Sequence, residues 1–174
     1  MTVYGQQPGT SPRSGRPRDR QADRAILRAA LHLLVEHGYD ALSVEGVAAA
    51  SGVAKTTIYR RYASKRELVA ASLASLVAGH PVAPETGDPR ADLLAVVRSA
   101  IDVATGDEEG YVLLGALLAT ERREPQLLAL FREVVLAPRL ERAAHALRRG
   151  IDAGTLRADL PVEAAIELAM GALL

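Results

Sequence analysis

Lys55, Thr56 and Thr57 place one cation and two small hydroxyl side chains next to each other. Lys55 can donate to the O6 or N7 atom of guanine. Each threonine can exchange a hydrogen bond with a base edge, or set its methyl group against that of thymine. An α-helix makes such contacts when its N-terminal residues enter the major groove of DNA. The alternative is an amphipathic helix with a solvated basic face, which leaves the shortness of this polar run unexplained.

The residues that follow can add contacts to the DNA backbone. Tyr59 would carry its hydroxyl to a phosphate, and at least one of Arg60 and Arg61 should reach the backbone or a base, since neighbouring residues cannot share a helix face. Lys65 stands at the start of the next predicted helix, where exposed amides already attract an anion. Together with Lys55, these side chains predict a DNA-binding surface.

Three predicted helices must position this surface. The first spans about residues 20–37, where apolar side chains recur at helical spacing, and Gly38 provides a left-handed stop. The second begins after Ser43, a favourable N-cap, and is short because Gly52 interrupts it. The third spans about residues 54–62. Two short helices joined by a glycine-containing turn after a third helix predict a helix-turn-helix, whose second helix reads the major groove.

The rest of the chain also predicts helices, so the expected fold class is all-α. A capping box opens a fourth helix at Ser64, and a loop rich in proline and glycine follows over Gly79–Gly87. Further helices are predicted from Asp88 to Thr105, from Asp107, from Pro125 to about Ala153 and from Pro161. Pro138 is expected to break or kink the long one.

Composition and charge narrow the function. The formal net charge is zero, yet residues 1–67 carry eleven Lys/Arg against six Asp/Glu, and the remainder carries ten against fifteen. This asymmetry suggests a nucleic-acid module attached to something else. The absence of cysteine excludes disulfides and thiolate metal sites, the four histidines show no metal spacing, and no catalytic cluster stands out. With no signal sequence and no apolar run long enough to cross a bilayer, we expect a cytoplasmic, non-enzymatic protein without cofactor or membrane contact.

Residues 1–18 predict a flexible basic arm, since they are rich in Gly, Pro, Ser and Arg. The segment Ser14–Arg18 contains a Gly-Arg-Pro core, as minor-groove binders of the AT-hook type do. In an extended conformation Arg16 and Arg18 could lie in a narrow A·T minor groove. The alternative is a disordered tail that adds only non-specific charge.

The region from Asp88 to Gly154 holds more apolar residues than support of a DNA-binding domain requires. This region could enclose an apolar cavity for a small apolar or aromatic ligand held by a few hydrogen bonds. The candidate lining residues are Val97, Leu113, Leu117 and Phe131, with Tyr111, Thr120 or His145 as polar groups. Core packing of these residues, or surface exposure of the histidine, is the competing interpretation.

The segment from Arg24 to Val69 resembles the N-terminal domain of the tetracycline-repressor (TetR) family over about 45 residues. The resemblance rests on a set of short matches: Ile26-Leu27, Ala29-Ala30, Gly38-Tyr39, Ser43, Val47-Ala48, Ser51-Gly52-Val53, Lys55, Thr57-Ile58-Tyr59, Ser64-Lys65 and Glu67-Leu68. Ala54 departs from the usual serine N-cap, at a cost of about 1 kcal/mol of local helix stability. Tyr62 replaces a usual phenylalanine, so its hydroxyl needs a partner or water. Gly46 weakens the second helix without a reason visible in the sequence.

The resemblance implies roles for individual residues. Ser43 would contact phosphate, Lys65 would clamp the backbone, and the recognition surface would comprise Lys55, Thr56, Thr57, Tyr59 and Arg61. It also implies a helix-turn-helix domain over residues 19–66 and a larger helical regulatory and dimerisation domain over residues 67–174. The apolar, uncapped end of that domain predicts that the natural chain continues beyond Leu174.

The expected function is therefore that of a homodimeric transcriptional regulator. We expect a repressor that binds an inverted-repeat operator in double-stranded DNA and is released by an unknown small apolar effector. One alternative is a constitutive architectural DNA-binding protein without an effector. Another is an enzyme with a fused DNA-binding domain, which the lack of a catalytic cluster disfavours.

Overall fold

The computed structural model describes residues 16–82, 85–105 and 125–171. The regular elements of these residues are helical, so the predicted all-α class is confirmed. In chain order they are α1 (Arg16–Ala41), α2 (Val44–Ser51), α3 (Lys55–Arg61), α4 (Lys65–Ala78), α5 (Pro89–Thr105), α6 (Pro125–Phe131), a π-helical stretch (Arg132–Leu136), α7 (Ala137–Asp152) and α8 (Val162–Gly171). The predicted helix at Asp107 and the predicted apolar end at Leu174 lie outside the described residues.

The predicted bounds of α2 and the predicted start of α4 are confirmed. Ser43 Oγ accepts a hydrogen bond from the Gly46 amide at 3.1 Å and caps α2, which ends at Gly52 with a left-handed φ of 68°. Ser64 Oγ accepts from the Glu67 amide at 3.1 Å, while Glu67 Oε2 accepts from the Ala63 amide at 2.8 Å. This reciprocal pair fixes the start of α4.

Helix α1 begins four residues before its predicted start near Arg20. Arg16 and Arg18, predicted to lie in an extended arm, instead occupy its first turn. A proline is compatible with that position, because its missing amide hydrogen would have no helical partner there, and Pro17 therefore does not delay the helix. Gly38 interrupts α1 with a φ of 79° and a ψ of 175°, which confirms the predicted break, and the chain then continues to Ala41.

A first hydrophobic core lies between α1, α2, α3 and α4. Ile26, Val47, Ile58 and Leu68 are completely buried there. The same core continues through α6 and the π-helical stretch by way of four more buried side chains, Leu127, Leu130, Phe131 and Val135. Residues beyond the DNA-binding domain thus share one packed interior with it, and a movement of α6 must be accommodated by α4.

A second core joins α5, α7 and α8 through Val96, Leu147 and Ile166, among others. Gly150 permits the closest approach, because a Cβ atom at this position would lie 2.6 Å from Leu156 Cδ1 and 3.1 Å from Pro89 Cβ. The C-terminal part of the chain therefore has an interior of its own.

The expected disruption at Pro138 takes the form of the π-helical stretch. Pro138 lacks the amide hydrogen that would bond the Val134 carbonyl, and its ring crowds the preceding turn. The chain widens by one residue per turn here, so that the Ala137 amide donates to the Arg132 carbonyl. The helical path continues into α7 instead of ending.

Candidate nucleic-acid interface

Helix α3 presents polar side chains outward and is anchored by one apolar residue. Lys55, Thr56 and Tyr59 are exposed, whereas Ile58 is completely buried. Thr57 is half-buried at the edge of the same surface. Since Ile58 fixes the rotation of the helix, the predicted base-contacting residues lie together at its N-terminal end.

The start of α3 has no side-chain cap, as the alanine at position 54 predicts. The Ala54 carbonyl accepts from the amides of Thr57 at 2.8 Å and Ile58 at 3.3 Å, which keeps the turn helical. The preceding turn is closed by Ser51, whose Oγ accepts from the Val53 amide at 3.3 Å. Backbone bonding and the buried Ile58 thus hold this helix where a cap is missing.

Lys55 is held from two sides. It forms an ion pair with Glu45 in the first turn of α2, and its Nζ atom lies 5.6 Å from the centre of the Tyr59 ring. The hydrogen bond between Lys55 and Glu45 raises the pKa of Lys55 and lowers the pKa of Glu45, so both side chains remain charged at neutral pH. The pairing joins the first turns of α2 and α3, which are ten residues apart in the sequence, and no local pattern in the sequence predicts it.

Arg61 and Tyr62 lie against α1 at the other end of α3. Arg61 Nη1 and the Tyr62 hydroxyl each donate to Asp23 Oδ1 at 2.9 Å. Burial, followed by this hydrogen bond, raises the pKa of Tyr62. The tyrosine that replaces the expected phenylalanine therefore has its predicted partner.

The two neighbouring arginines differ in exposure. The Arg61 side chain is only 16% exposed and holds α3 to α1, whereas Arg60 is exposed. Of the pair, Arg60 is the side chain placed for a phosphate or a base, and a DNA contact by Arg61 would require it to leave Asp23.

The predicted backbone contacts flank α3. Ser43 is exposed, and Gly46 leaves room for it, because a Cβ atom at Gly46 would lie 3.2 Å from Ser43 Oγ. This explains a glycine for which the sequence gives no reason. Lys65 Nζ donates to the Asp40 carbonyl at 3.1 Å and lies 4.6 Å from the centre of the Tyr39 ring. In this position it fastens α4 to the end of α1.

The described members of the predicted ligand cavity do not converge. Val97 packs on the second core and Phe131 belongs to the first. His145 is exposed on α7, with Nε2 3.7 Å from Glu85 Oε2. The other candidates, Tyr111, Leu113, Leu117 and Thr120, lie outside the described residues. For Val97, Phe131 and His145 the competing interpretation, core packing and surface exposure, describes the observed positions.

Two family models match the chain. The one described as "Bacterial regulatory proteins, tetR family" matches residues 26–72. The one described as "Tetracyclin repressor-like, C-terminal domain" matches residues 83–174. Within the described residues, no helix has both the length and the apolar character that a membrane span requires.

Curated relatives carry regulator names. The uncharacterized HTH-type transcriptional regulator YdeS of Bacillus subtilis is 32% identical over 157 residues, which cover 90% of this chain and 78% of YdeS. The uncharacterized HTH-type transcriptional regulator Rv1556 of Mycobacterium tuberculosis is 44% identical over 85 residues, 49% of this chain and 40% of that protein. The DNA-binding transcriptional repressor TetR of Mycobacteroides abscessus is 42% identical over 74 residues, 42% and 39%. The latter two matches span less than half of either chain.

Solved structures extend the similarity to the whole fold. The TetR family transcription regulator SCO0332 is 33% identical, with a TM-score of 0.59 over 88% of this chain and 84% of its own. The flavonoid-responsive regulator FrrA is 26% identical, with a TM-score of 0.64 over 87% and 78%. FadR of Bacillus subtilis, solved with stearoyl-CoA, shares the fold at 22% identity, with a TM-score of 0.65 over 85% and 81%.

Proposed function

Because the chain belongs to the tetracycline-repressor family of DNA-binding transcriptional regulators, we propose that it is a repressor released from an inverted-repeat operator by a small, largely apolar ligand. The observation that supports DNA binding in this proposal is the outward face of α3. Lys55, Thr56 and Tyr59 are exposed there around a helix whose orientation is fixed by the buried Ile58.

Base recognition falls to the N-terminal end of α3 and backbone recognition to its surroundings. Lys55 and the two threonines meet base edges, while Ser43, Arg60 and Lys65 neutralise or bond phosphates on either side. Lys65 can serve this purpose by exchanging the Asp40 carbonyl for a phosphate oxygen, a stronger acceptor because it is charged.

Two copies of the chain are needed for a specific site. A single α3 reads only a few base pairs, and two related half-sites about one helical turn apart, ~34–36 Å, require a two-fold symmetric protein. The operator is therefore an inverted repeat and the functional unit a homodimer.

Release by a ligand requires that the C-terminal domain be connected to α3. Two contacts support such a connection. The first core is continuous from α1 to the π-helical stretch. In addition, Arg66 Nη2 in the first turn of α4 lies 2.5 Å from Glu133 Oε2 in that stretch.

FrrA, 26% identical, is by its name responsive to flavonoids, which is consistent with an apolar aromatic effector. A tenfold loss of operator affinity requires about 1.4 kcal/mol of differential ligand binding, a usual coupling energy.

Footprinting on the DNA that flanks the protein's own gene tests the proposal. The expected result is a symmetric footprint over an inverted repeat that weakens when an effector is added. A footprint over a single half-site at saturating protein would refute the dimer. Ligands that bind the protein tightly and leave the footprint unchanged would favour a constitutive DNA-binding protein.

A further inference from the structure

A half-open cleft lies between α1 and the end of α4, away from the outward face of α3. Its volume is about 230 Å³. Four residues of α1 form one wall and four residues at or just after the end of α4 form the other: Arg24, Leu27, Arg28, Leu31, Ser75, Leu76, Gly79 and His80. The cleft involves none of the residues to which base recognition is assigned above.

The rim of the cleft is cationic. Arg24 and Arg28 are both exposed and stand one helical turn apart on α1, so their guanidinium groups project over the same wall. Among the acidic side chains that the structure describes from residue 20 onwards, none is ion-paired with either of them. The neighbouring carboxylate, Asp23, is taken up by Arg61 and Tyr62. The rim thus offers two planar, permanently charged donors suited to a carboxylate or a similar anion.

The interior of the cleft is apolar. Leu31 and Leu76 form buried parts of the first core, and Leu27 packs against that core. At about 230 Å³ the cleft is small for a ligand pocket. This is below the roughly 300 Å³ at which pockets for drug-sized ligands begin. A short alkyl chain or a single ring fits such a space.

The cleft also borders the connection to the second core. The His80 carbonyl accepts hydrogen bonds from Ser99 Oγ on α5 at 2.8 Å and from Arg139 Nη2 on α7 at 3.1 Å. Arg139 is buried and also donates to Ser99 Oγ at 3.1 Å. A ligand in the cleft would therefore contact both α1 of the DNA-binding domain and the segment around His80, which α5 and α7 hold in place.

We propose that this cleft binds a small amphipathic monoanion, a carboxylate with a short alkyl or aromatic body. Arg24 and Arg28 bond the carboxylate, and Leu27, Leu31 and Leu76 cover the apolar body. This site is separate from the effector cavity of the proposed function, and it is tested without DNA.

Octanoate is the probe, measured by calorimetric titration on the full chain. Three compounds serve as comparisons. Octanol has the alkyl chain of octanoate without its charge, octylammonium has an alkyl chain of the same length with the opposite charge, and acetate has the carboxylate without the long alkyl chain. The expected order places octanoate above all three. The double variant Arg24→Gln/Arg28→Gln should weaken octanoate binding at least about tenfold, as expected for the loss of charge-assisted hydrogen bonds. Arg90→Gln, a change of an exposed arginine on α5, is the matched control and should have no effect.

A second variant tests the location without changing charge. Gly79 has an ordinary φ of −74°, and a Cβ atom there would meet only the Leu76 carbonyl oxygen at 3.9 Å. Gly79→Leu should therefore fold normally, narrow the cleft and weaken octanoate binding as well. Equal affinity for octanol and octanoate would overturn the anion site, and undiminished octanoate binding to Gly79→Leu would overturn its location. If the double variant keeps its octanoate affinity, the two arginines do not bind the anion and the proposal is wrong.

Discussion

Glu45 in the first turn of α2 forms an ion pair with Lys55 at the start of α3. The two helices of the helix-turn-helix are thus joined by a charge pair at the surface proposed to face DNA. An exposed ion pair adds little to the stability of a protein. The main effect of this pair is therefore on the position of the Lys55 ammonium group. A lysine with four rotatable bonds is confined by Glu45 and the Tyr59 ring to one region of the surface.

Substitution of Glu45 by glutamine should therefore lower discrimination between DNA sequences. The loss of a negative charge near the phosphates should strengthen binding to a scrambled duplex, and the freed Lys55 can reach a phosphate. The slope of log affinity against log salt should then steepen by about one. Titrations of cognate and scrambled duplexes at several salt concentrations measure both effects. Glu163→Gln on α8 is the control, and a Glu45→Gln protein with unchanged specificity ratio would show that the pair has no positioning role.

Asp23→Ala should destabilise the DNA-binding domain. The substitution removes the Asp23 carboxylate to which the partly buried Arg61 and the Tyr62 hydroxyl both donate. Because Asp23 itself is half exposed, we expect a loss of about 1–2 kcal/mol in the free energy of unfolding. Urea unfolding followed by circular dichroism measures it. Asp40→Ala is the control, since Lys65 bonds the Asp40 backbone carbonyl and not its side chain; equal losses for the two variants would contradict the account.

Asp92 should make stability depend on pH in the acid range. The Thr86 amide at 2.7 Å, the Thr86 hydroxyl at 2.8 Å and Arg149 bond its carboxylate, which lowers the pKa of Asp92 to about 2. An unfolded aspartate titrates near pH 3.9, at about its unperturbed value. Between these two pH values the unfolded chain binds more protons than the folded protein. The contribution of the Asp92 carboxylate to the free energy of unfolding is therefore complete above about pH 4 and is lost as the pH falls towards 2.

The Asp92→Asn variant should therefore be less stable than the unmodified protein at pH 7, by a difference that shrinks on acidification. Thermal unfolding between pH 7 and pH 3 provides the comparison, with Asp102→Asn at an exposed position of α5 as the control. A difference that stays constant over this range would mean that the carboxylate is not stabilised in its charged form.

Gly150→Ala should destabilise the C-terminal domain. The added methyl group would lie 2.6 Å from Leu156 Cδ1 and 3.1 Å from Pro89 Cβ, and the second of these belongs to a rigid ring. Overpacking of this kind costs about 1–3 kcal/mol. Gly79→Ala adds the same methyl group where it would meet only the Leu76 carbonyl oxygen at 3.9 Å, so stability should change by less than about 0.5 kcal/mol. Similar losses for the two variants in thermal unfolding would exclude close packing as the cause.

Local rules in the sequence were sufficient for most of the helix boundaries, although α1 begins four residues before its predicted start. The caps at Ser43 and Ser64 and the interruptions at Gly38 and Gly52 depend on neighbours within a few residues, and each lies where the sequence predicts it. The disruption near Pro138 was predictable for the same reason. Its π-helical form was not, since that depends on how α6 and the π-helical stretch pack on α4.

Contacts between distant segments were not predictable from the sequence. Asp23 and Arg61 are 38 residues apart, and their pairing depends on the angle between α1 and α3. Arg139 resembles an exposed arginine of an amphipathic helix, yet it is buried because the His80 carbonyl, the Val135 carbonyl and Ser99 supply acceptors from three segments. A charged residue can be recognised as buried only when the acceptors around it are known.

Lys55→Ala tests whether the exposed N-terminal end of α3 reads DNA sequence. Fluorescence anisotropy with a duplex identified by footprinting and with its scrambled counterpart measures both affinities at one salt concentration. The variant should lose about 1–3 kcal/mol of binding free energy on the cognate duplex and clearly less on the scrambled one. Lys65→Ala, assigned to the backbone, should weaken both duplexes alike. Equal losses on the two duplexes for Lys55→Ala would contradict base recognition by α3.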